Sequence, residues 1–322
     1  MYLWHNKQTR VMNQSNLPVN DTSWREVFAT HAQAHPAVAA GLVAAIVVVI
    51  ALIIQSLLHI SRGPDSQFLS YAMLGGAAGL AGTALGALPA LFLRSIPRVL
   101  EDSMLGFAAG MMLAAASFSL ILPGIEAGTE ISGNAVGGGL LVVFGLAMGA
   151  LLMLGLDEFT PHEHQHTGPC GPGYERCDRA WLFVFAIALH NLPEGMAIGV
   201  SFSGGDLSVG VPLATAIALQ DIPEGLAVAL TLRAAGFSNI TAVTVAAATG
   251  LLEPLGAFIG LGLGGGLMIA YPVGLGLAAG AMIFVVSHEV IPETHKNGHQ
   301  TAATLGLMTG FALMMILDTA LG

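Results

Sequence analysis

Apolar runs of roughly twenty residues or more recur nine times along this chain, and few folds can accommodate that repetition. The runs cover 36–60, 68–93, 103–123, 135–156, 180–203, 208–232, 239–264, 270–292 and 301–321. Each is near the ~20 residues a spanning helix needs and about twice the length of a barrel strand. Only 9% of the 322 residues are charged, against about 25% in soluble domains. The chain therefore reads as an all-α polytopic membrane protein whose first partner is the lipid bilayer. Its 42 glycines suit helices that approach closely through small-residue faces.

The basic residues test the count of spans. With a cytoplasmic N-terminus, Lys7, Arg10, Arg25, Arg94, Arg98, Arg176, Arg179, Arg233 and Lys296 all fall inside, and only Arg62 falls outside. That asymmetry supports nine spans and places the C-terminus on the extracytoplasmic side. Three units are expected: a cytoplasmic tail (1–35), an additional N-terminal span (36–60), and an eight-span body (61–322) with a His-rich cytoplasmic loop (157–179). The first apolar run is too long for a secretory leader. Cys170 and Cys177 are too few for a disulfide framework. The formal charge of −10 says little about partners because several acids lie inside the spans, and no nucleic-acid partner is expected.

Two levels of internal repetition are visible. AIALHNLPEG at 186–195 returns as AIALQDIPEG at 216–225, on successive and therefore oppositely directed spans. GFAAGMMLAAASFSLI (106–121) aligns without gaps to GLAAGAMIFVVSHEVI (276–291), and GALLMLGLD (149–157) to GFALMMILD (310–318). The third and fourth spans thus resemble the eighth and ninth, an odd offset that inverts one pair relative to the other. The seventh span should echo the second, where the likeness is weak. The expected plan is a 3+2+3 inverted-repeat helical bundle with one extra N-terminal span, a recurring transporter design.

The duplicated motif carries the chemistry. Ionisable groups inside a span are expensive and are seldom there for packing. His190 and Glu194 are spaced i,i+4 and share a helical face, while Asn191 points about 100° away. Gln220, Asp221 and Glu224 repeat the pattern. Pro193 and Pro223 are expected to break the two helices and open backbone carbonyls. Glu253 precedes Pro254 on the seventh span, and His288 and Glu289 precede Pro292 on the eighth. Imidazole with carboxylate suits zinc or another divalent first-row metal better than an alkali ion. Glu194 and Glu224 are expected to bridge two cations, one facing His190 and Gln220, the other facing Asn191, Asp221 and Glu253. The bland alternative is a proton relay or a hydrogen-bonded network pinning two kinked helices.

Other positions are weaker candidates. Met112 shares a face with Ser119 and offers a soft thioether, although a Met in an apolar span is usually packing. His288 and Glu289 suit the pathway or a secondary metal position. The loop residues His162, His164 and His166 form a flexible tract that can catch a metal leaving the membrane, with His295 and His299 flanking another turn on that side. Asp102, Asp157 and Asp318 near span ends are expected to be interfacial.

HNLPEG and QDIPEG resemble the signature motifs of the ZIP (Zrt/Irt-like) metal-ion transporters, and the chain is similar to their bacterial GufA-type branch over residues 68–321. The resemblance implies a homodimer in the plasma (inner) membrane that admits Zn2+ to the cytoplasm, with Cd2+, Fe2+ or Mn2+ as further substrates. It also implies a binuclear centre. One metal would be held by Met112, His190, Glu194, Gln220 and Glu224, the other by Asn191, Glu194, Asp221, Glu224 and Glu253. An elevator-like alternating-access motion is implied as well. A metal-selective channel would use the same residues without an alternating gate. An intramembrane metalloprotease would need HExxH, but His288-Glu289 is followed by Val290, Ile291 and Pro292, so no enzyme is expected.

Overall fold

The computed structural model describes residues 23–60, 66–164, 168–174, 179–264 and 267–322. Thirteen α-helices account for most of that. They are α1 (Trp24–Ala34), α2 (Pro36–Ile60), α3 (Ser66–Ala87), α4 (Arg98–Ala115), α5 (Leu122–Ser132), α6 (Ala135–Phe159) and α7 (Arg179–Ser203). The rest are α8 (Leu207–Ala234), α9 (Asn239–Thr249), α10 (Leu252–Gly264), α11 (Ala270–Val285), α12 (Ile291–His295) and α13 (Gln300–Leu321). Eight helical segments are long and apolar enough to cross a membrane, and the α1–α2 pair makes a ninth if counted as one bent span. Leu305, Met308, Met315 and Ile316 on α13 face outward, as expected where lipid replaces a protein core.

Four features add to or depart from what was expected. The last part of the expected tail is a helix, α1, capped by Ser23 and Glu26 and turned by 111° from α2. The third span runs from Arg98 to Ser132, and within it a π-helical turn at Ala116–Ile121 joins α4 to α5. The seventh span is two helices that meet at Gly250–Leu251. Lastly, α7 and α8 continue unbroken through Pro193, Pro212 and Pro223. One proline removes a single ladder bond, and neighbouring helices exclude lipid from the freed carbonyl, so the helix persists.

The backbone opens at other positions. A second π turn, Val286–Val290, joins α11 to α12. Pro123 and Pro292 each take the second position of the helix after a π turn. A proline ring clashes with the carbonyl four residues earlier, at Ser119 and His288 respectively, and the wider π turn moves that carbonyl aside.

Close glycine contacts set the packing. On α4, Gly106 and Gly110 lie against the backbone oxygens of Ala303 and Leu307 on α13; on α11, Gly276 and Gly280 lie against those of Val142 and Leu146 on α6. Conversely, Gly306 and Gly310 meet the carbonyls of Ser103 and Phe107, and Gly145 and Gly149 meet those of Val273 and Leu277. A Cβ at any of these eight positions would collide with backbone. The first set maps onto the second by adding 170 on α4 and subtracting 161 on α13. The α3–α8 and α7–α10 pairs repeat the pattern, by adding 170 on α3 and subtracting 30 on α8: Gly86 meets the Ile222 carbonyl and Gly256 that of Leu192, while Gly225 meets Thr83 and Gly195 meets Glu253.

Two helix groups result. Helices α3, α7, α8 and α10 pack on one another as an inner bundle. Around them stand the α4–α13 and α6–α11 pairs, with α4 against α8 and α11 against α7. Helix α2 packs on α6 and α10. The polar motif residues lie inside the four-helix bundle.

A candidate metal centre

The side chains of Glu194 on α7 and of Asp221 and Glu224 on α8 each bring one carboxylate oxygen to a common point, all within 4.8 Å of one another. The i,i+3 spacing of Asp221 and Glu224 puts both on one face of α8, turned toward Glu194. Gln220 donates its Nε2 to Oε1 of Glu194 at 2.5 Å, linking the two helices. Glu253, in the first turn of α10, accepts a 2.9 Å hydrogen bond from Thr83 on α3. Pro254 follows it within the same turn, where a missing N–H costs the helix nothing.

Burial makes the cluster chemically unusual. Glu194, Gln220 and Glu253 are 0% exposed, and Asp221 is 2% exposed. One oxygen on each of Glu194, Gln220, Asp221, Glu224 and Glu253 is shielded from solvent and meets no hydrogen-bond donor among the described residues. Buried carboxylates this close repel strongly at low dielectric and need compensating positive charge. Arg233, in the last turn of α8, turns instead to the Ala90 carbonyl. Unpartnered oxygens converging on one point fit a hard or borderline dication, and the carboxamide of Gln220 adds a neutral ligand.

The remaining candidates are distributed unevenly. Asn191 and Met112 are both buried, at 3% and 1% exposure. His190 Nε2 lies 2.9 Å from Oε2 of Glu289, so the acid of the eighth span orients the imidazole of the fifth. His288 lies 3.7 Å from Asp157 and tilts onto Phe284. His295 Nδ1 is engaged by Thr294 and the Ile291 carbonyl. His299 Nδ1 is 2.8 Å from buried Asp102, which also accepts from Asn297. Neither His295 nor His299 joins a group of three metal-ligating side chains among the described residues. The loop expected to be flexible contains a short antiparallel hairpin, His162–His164 paired with Gly168–Cys170. His166 lies outside the described residues.

The acids expected at the interface are better integrated than that. Asp157 and Asp102 are buried, and Asp318 on α13 accepts from Ser119 in the first π turn at 2.6 Å.

Sequence reasoning passed over Thr83 and Gly79. A Cβ at Gly79 would collide with the Glu253 carboxylate and stand 3.0 Å from Oδ2 of Asp221. Gly79 therefore leaves the space in which the two acids sit. Its signal was faint, one small residue among many on the second span.

Comparison with known proteins identifies the family. Residues 160–318 match the family described as ZIP Zinc transporter. The chain is 58% identical to the zinc transporter ZIPB of Bordetella bronchiseptica, over 97% of this chain and all of that protein. It is 42% identical to the zinc transporter GufA of Myxococcus xanthus, over 76% of this chain and 96% of the relative. With the zinc transporter ZupT of Corynebacterium glutamicum the identity is 38%, over 74% and 94%. On that extent of identity, and with the paired motif helices meeting at a buried acidic cluster, the chain belongs to the ZIP zinc transporter family.

Proposed function

We propose that this protein carries divalent metal cations, zinc foremost, through a multi-pass helical bundle into the cytoplasm. The observation that carries the reading is the convergence of Glu194, Asp221 and Glu224 oxygens within 4.8 Å inside the inner bundle. A dication there satisfies oxygens that meet no donor, which a network built only to pin helices would leave unsatisfied.

The centre is binuclear in this reading. Glu194 and Glu224 bridge; Met112, His190 and Gln220 complete one position, and Asn191, Asp221 and Glu253 complete the other. Cadmium, iron and manganese fit the same ligands, with the thioether and imidazole favouring the softer ions.

Transport proceeds by alternating access. The matched glycine registers support an inverted 3+2+3 plan, in which two related halves provide two basins of similar energy, one open to each side. The inner bundle α3, α7, α8 and α10 carries the site past the outer pairs in an elevator-like movement. Nothing in this cycle requires bond chemistry, unlike the metalloprotease alternative. The N-terminus lies in the cytoplasm and the C-terminus outside, and the protein works as a homodimer in the plasma (inner) membrane.

Metal uptake into proteoliposomes tests the proposal, comparing zinc, cadmium, iron and manganese with Glu224→Ala as control. Saturable uptake with a steep temperature dependence, abolished in the variant, is expected. Equal uptake by the variant overturns the site, and weak temperature dependence without saturation favours a channel.

A further inference from the structure

A second cluster of metal-ligating side chains lies outside the inner bundle, between the N-terminal helix and the end of α6. His31 stands in the last turn of α1 and His35 is the residue that caps it, at the bend into α2. The cap ties the two together: the His35 N–H donates to the His31 carbonyl at 3.0 Å. The start of that helix is fixed by a reciprocal cap, Glu26 N–H to Ser23 Oγ and Ser23 N–H to Glu26 Oε2. Glu158 comes from the last turn of α6.

The three groups aim at one point. His31 Nε2 lies 3.0 Å and His35 Nε2 3.5 Å from the same carboxylate oxygen, Oε1 of Glu158. The imidazoles stack with centroids 4.7 Å apart, and His31 also meets the edge of Phe159 at 5.2 Å. One carboxylate oxygen facing two ring nitrogens suits two Nε2–H donors or one shared cation, and the 3.0 Å His31 contact lacks hydrogen-bond geometry. For a tetrahedral zinc site the ligand-to-ligand edge is about 3.3 Å, given bonds of about 2.0–2.1 Å. The observed separations bracket that edge. The side chains are 20%, 45% and 30% exposed for His31, His35 and Glu158, while His31 Nε2 itself is shielded from solvent and has no hydrogen-bond partner among the described residues.

We propose that His31, His35 and Glu158 form a peripheral binding site for a zinc-class divalent cation, which staples α1 to the end of α6. The site is independent of the central acids. It also differs from the loop histidines, because its two imidazoles come from α1 and its cap, ahead of the eight-span body, and its carboxylate from the end of α6. Its position gives it a consequence. Glu158 directly follows Asp157, whose carboxylate is 3.7 Å from His288, so one helix end presents adjacent acids to two different elements. A cation at His31, His35 and Glu158 fixes that helix end and, with it, the neighbouring Asp157.

The experiment uses the full chain carrying Glu194→Ala and Glu224→Ala, so that the central centre does not contribute. Bound zinc per chain is measured by equilibrium dialysis with and without the added pair His31→Ala and His35→Ala. Loss of one equivalent is expected. Glu158→Gln, which keeps size and removes charge, is expected to weaken the same equivalent at least ~10-fold, comparable to losses on disturbing metal sites elsewhere. In parallel, zinc is expected to slow amide exchange across residues 24–34 in the central-site variant and to have no such effect once Glu158→Gln is added. Unchanged stoichiometry together with zinc-independent exchange of α1 overturns the proposal, whatever the outcome for the central centre. If the double histidine variant does not fold, the Glu158→Gln comparison decides alone.

Discussion

Thr83 donates its hydroxyl to Oε1 of Glu253 at 2.9 Å, and the two residues stand at matched positions of α3 and α10, 170 residues apart. The offset of 170 also relates Gly86 on α3 to Gly256 on α10, by their contacts with α8 and α7. In the proposed repeat the two halves meet at equivalent points, one contributing an acid and the other the donor that orients it. A carboxylate already accepting a hydrogen bond on one oxygen presents the other in a fixed direction, as partners behind metal ligands commonly do.

Thr83→Val keeps the branched shape and removes the donor. Zinc affinity of the purified protein is expected to fall about 10- to 100-fold, the usual range for such partners, while Thr83→Ser retains most of it. Titration of bound metal decides this; equal affinity in all three proteins would show that Glu253 needs no orienting partner.

Gly79→Ala should be more severe than an alanine normally is in a helix. Alanine is the better helix former by about 1 kcal/mol, so a gain in stability is the default. Here the methyl would occupy the space of the Glu253 carboxylate and press on Asp221. Expected is a chain that still folds, judged by its elution and thermal midpoint, but binds less metal. Unchanged metal content would mean that the acids shift at no cost.

The two motif glutamates and Asn191 separate the shared ligands from the unshared ones. Glu194→Ala or Glu224→Ala is expected to reduce bound metal at both positions, whereas Asn191→Ala reduces it at one. Metal counts on purified variants check this, and full stoichiometry in both glutamate variants contradicts a bridged pair.

What the sequence disclosed, and what it withheld, follows from where each signal resides. The spans are legible because hydropathy is local, and the motif residues are legible because polar groups inside such spans are rare. The π turns were not, since a widened turn depends on relieving one carbonyl against Pro123 or Pro292, and composition does not record it. Pro193 and Pro223 misled for the complementary reason: their neighbours in the bundle support a helix that would break alone. Thr83, Gly79 and the His190–Glu289 pair needed the helix register, which is set by glycine contacts between segments far apart in sequence. Histidines at 31 and 35 carry no meaning until Glu158 is placed beside them.

Glu289 gives the last test, because its carboxylate lies 2.9 Å from His190 and two functions are possible for it. As a direct ligand, Glu289→Ala would remove a metal position. As the partner that fixes the imidazole, the variant would retain the number of bound ions and weaken the one that His190 serves. The geometry favours the second, since Oε2 faces the ring nitrogen and the group lies within a π turn rather than among the Glu194, Asp221 and Glu224 oxygens. Glu289→Gln keeps a hydrogen-bonding side chain and should restore much of the affinity, because its amide oxygen still accepts from the ring. The expected pattern is unchanged stoichiometry in both variants, an affinity about 10-fold lower or more in the alanine variant, and partial recovery in the glutamine variant. A missing ion in Glu289→Ala, with none regained in Glu289→Gln, would make this residue a ligand in its own right.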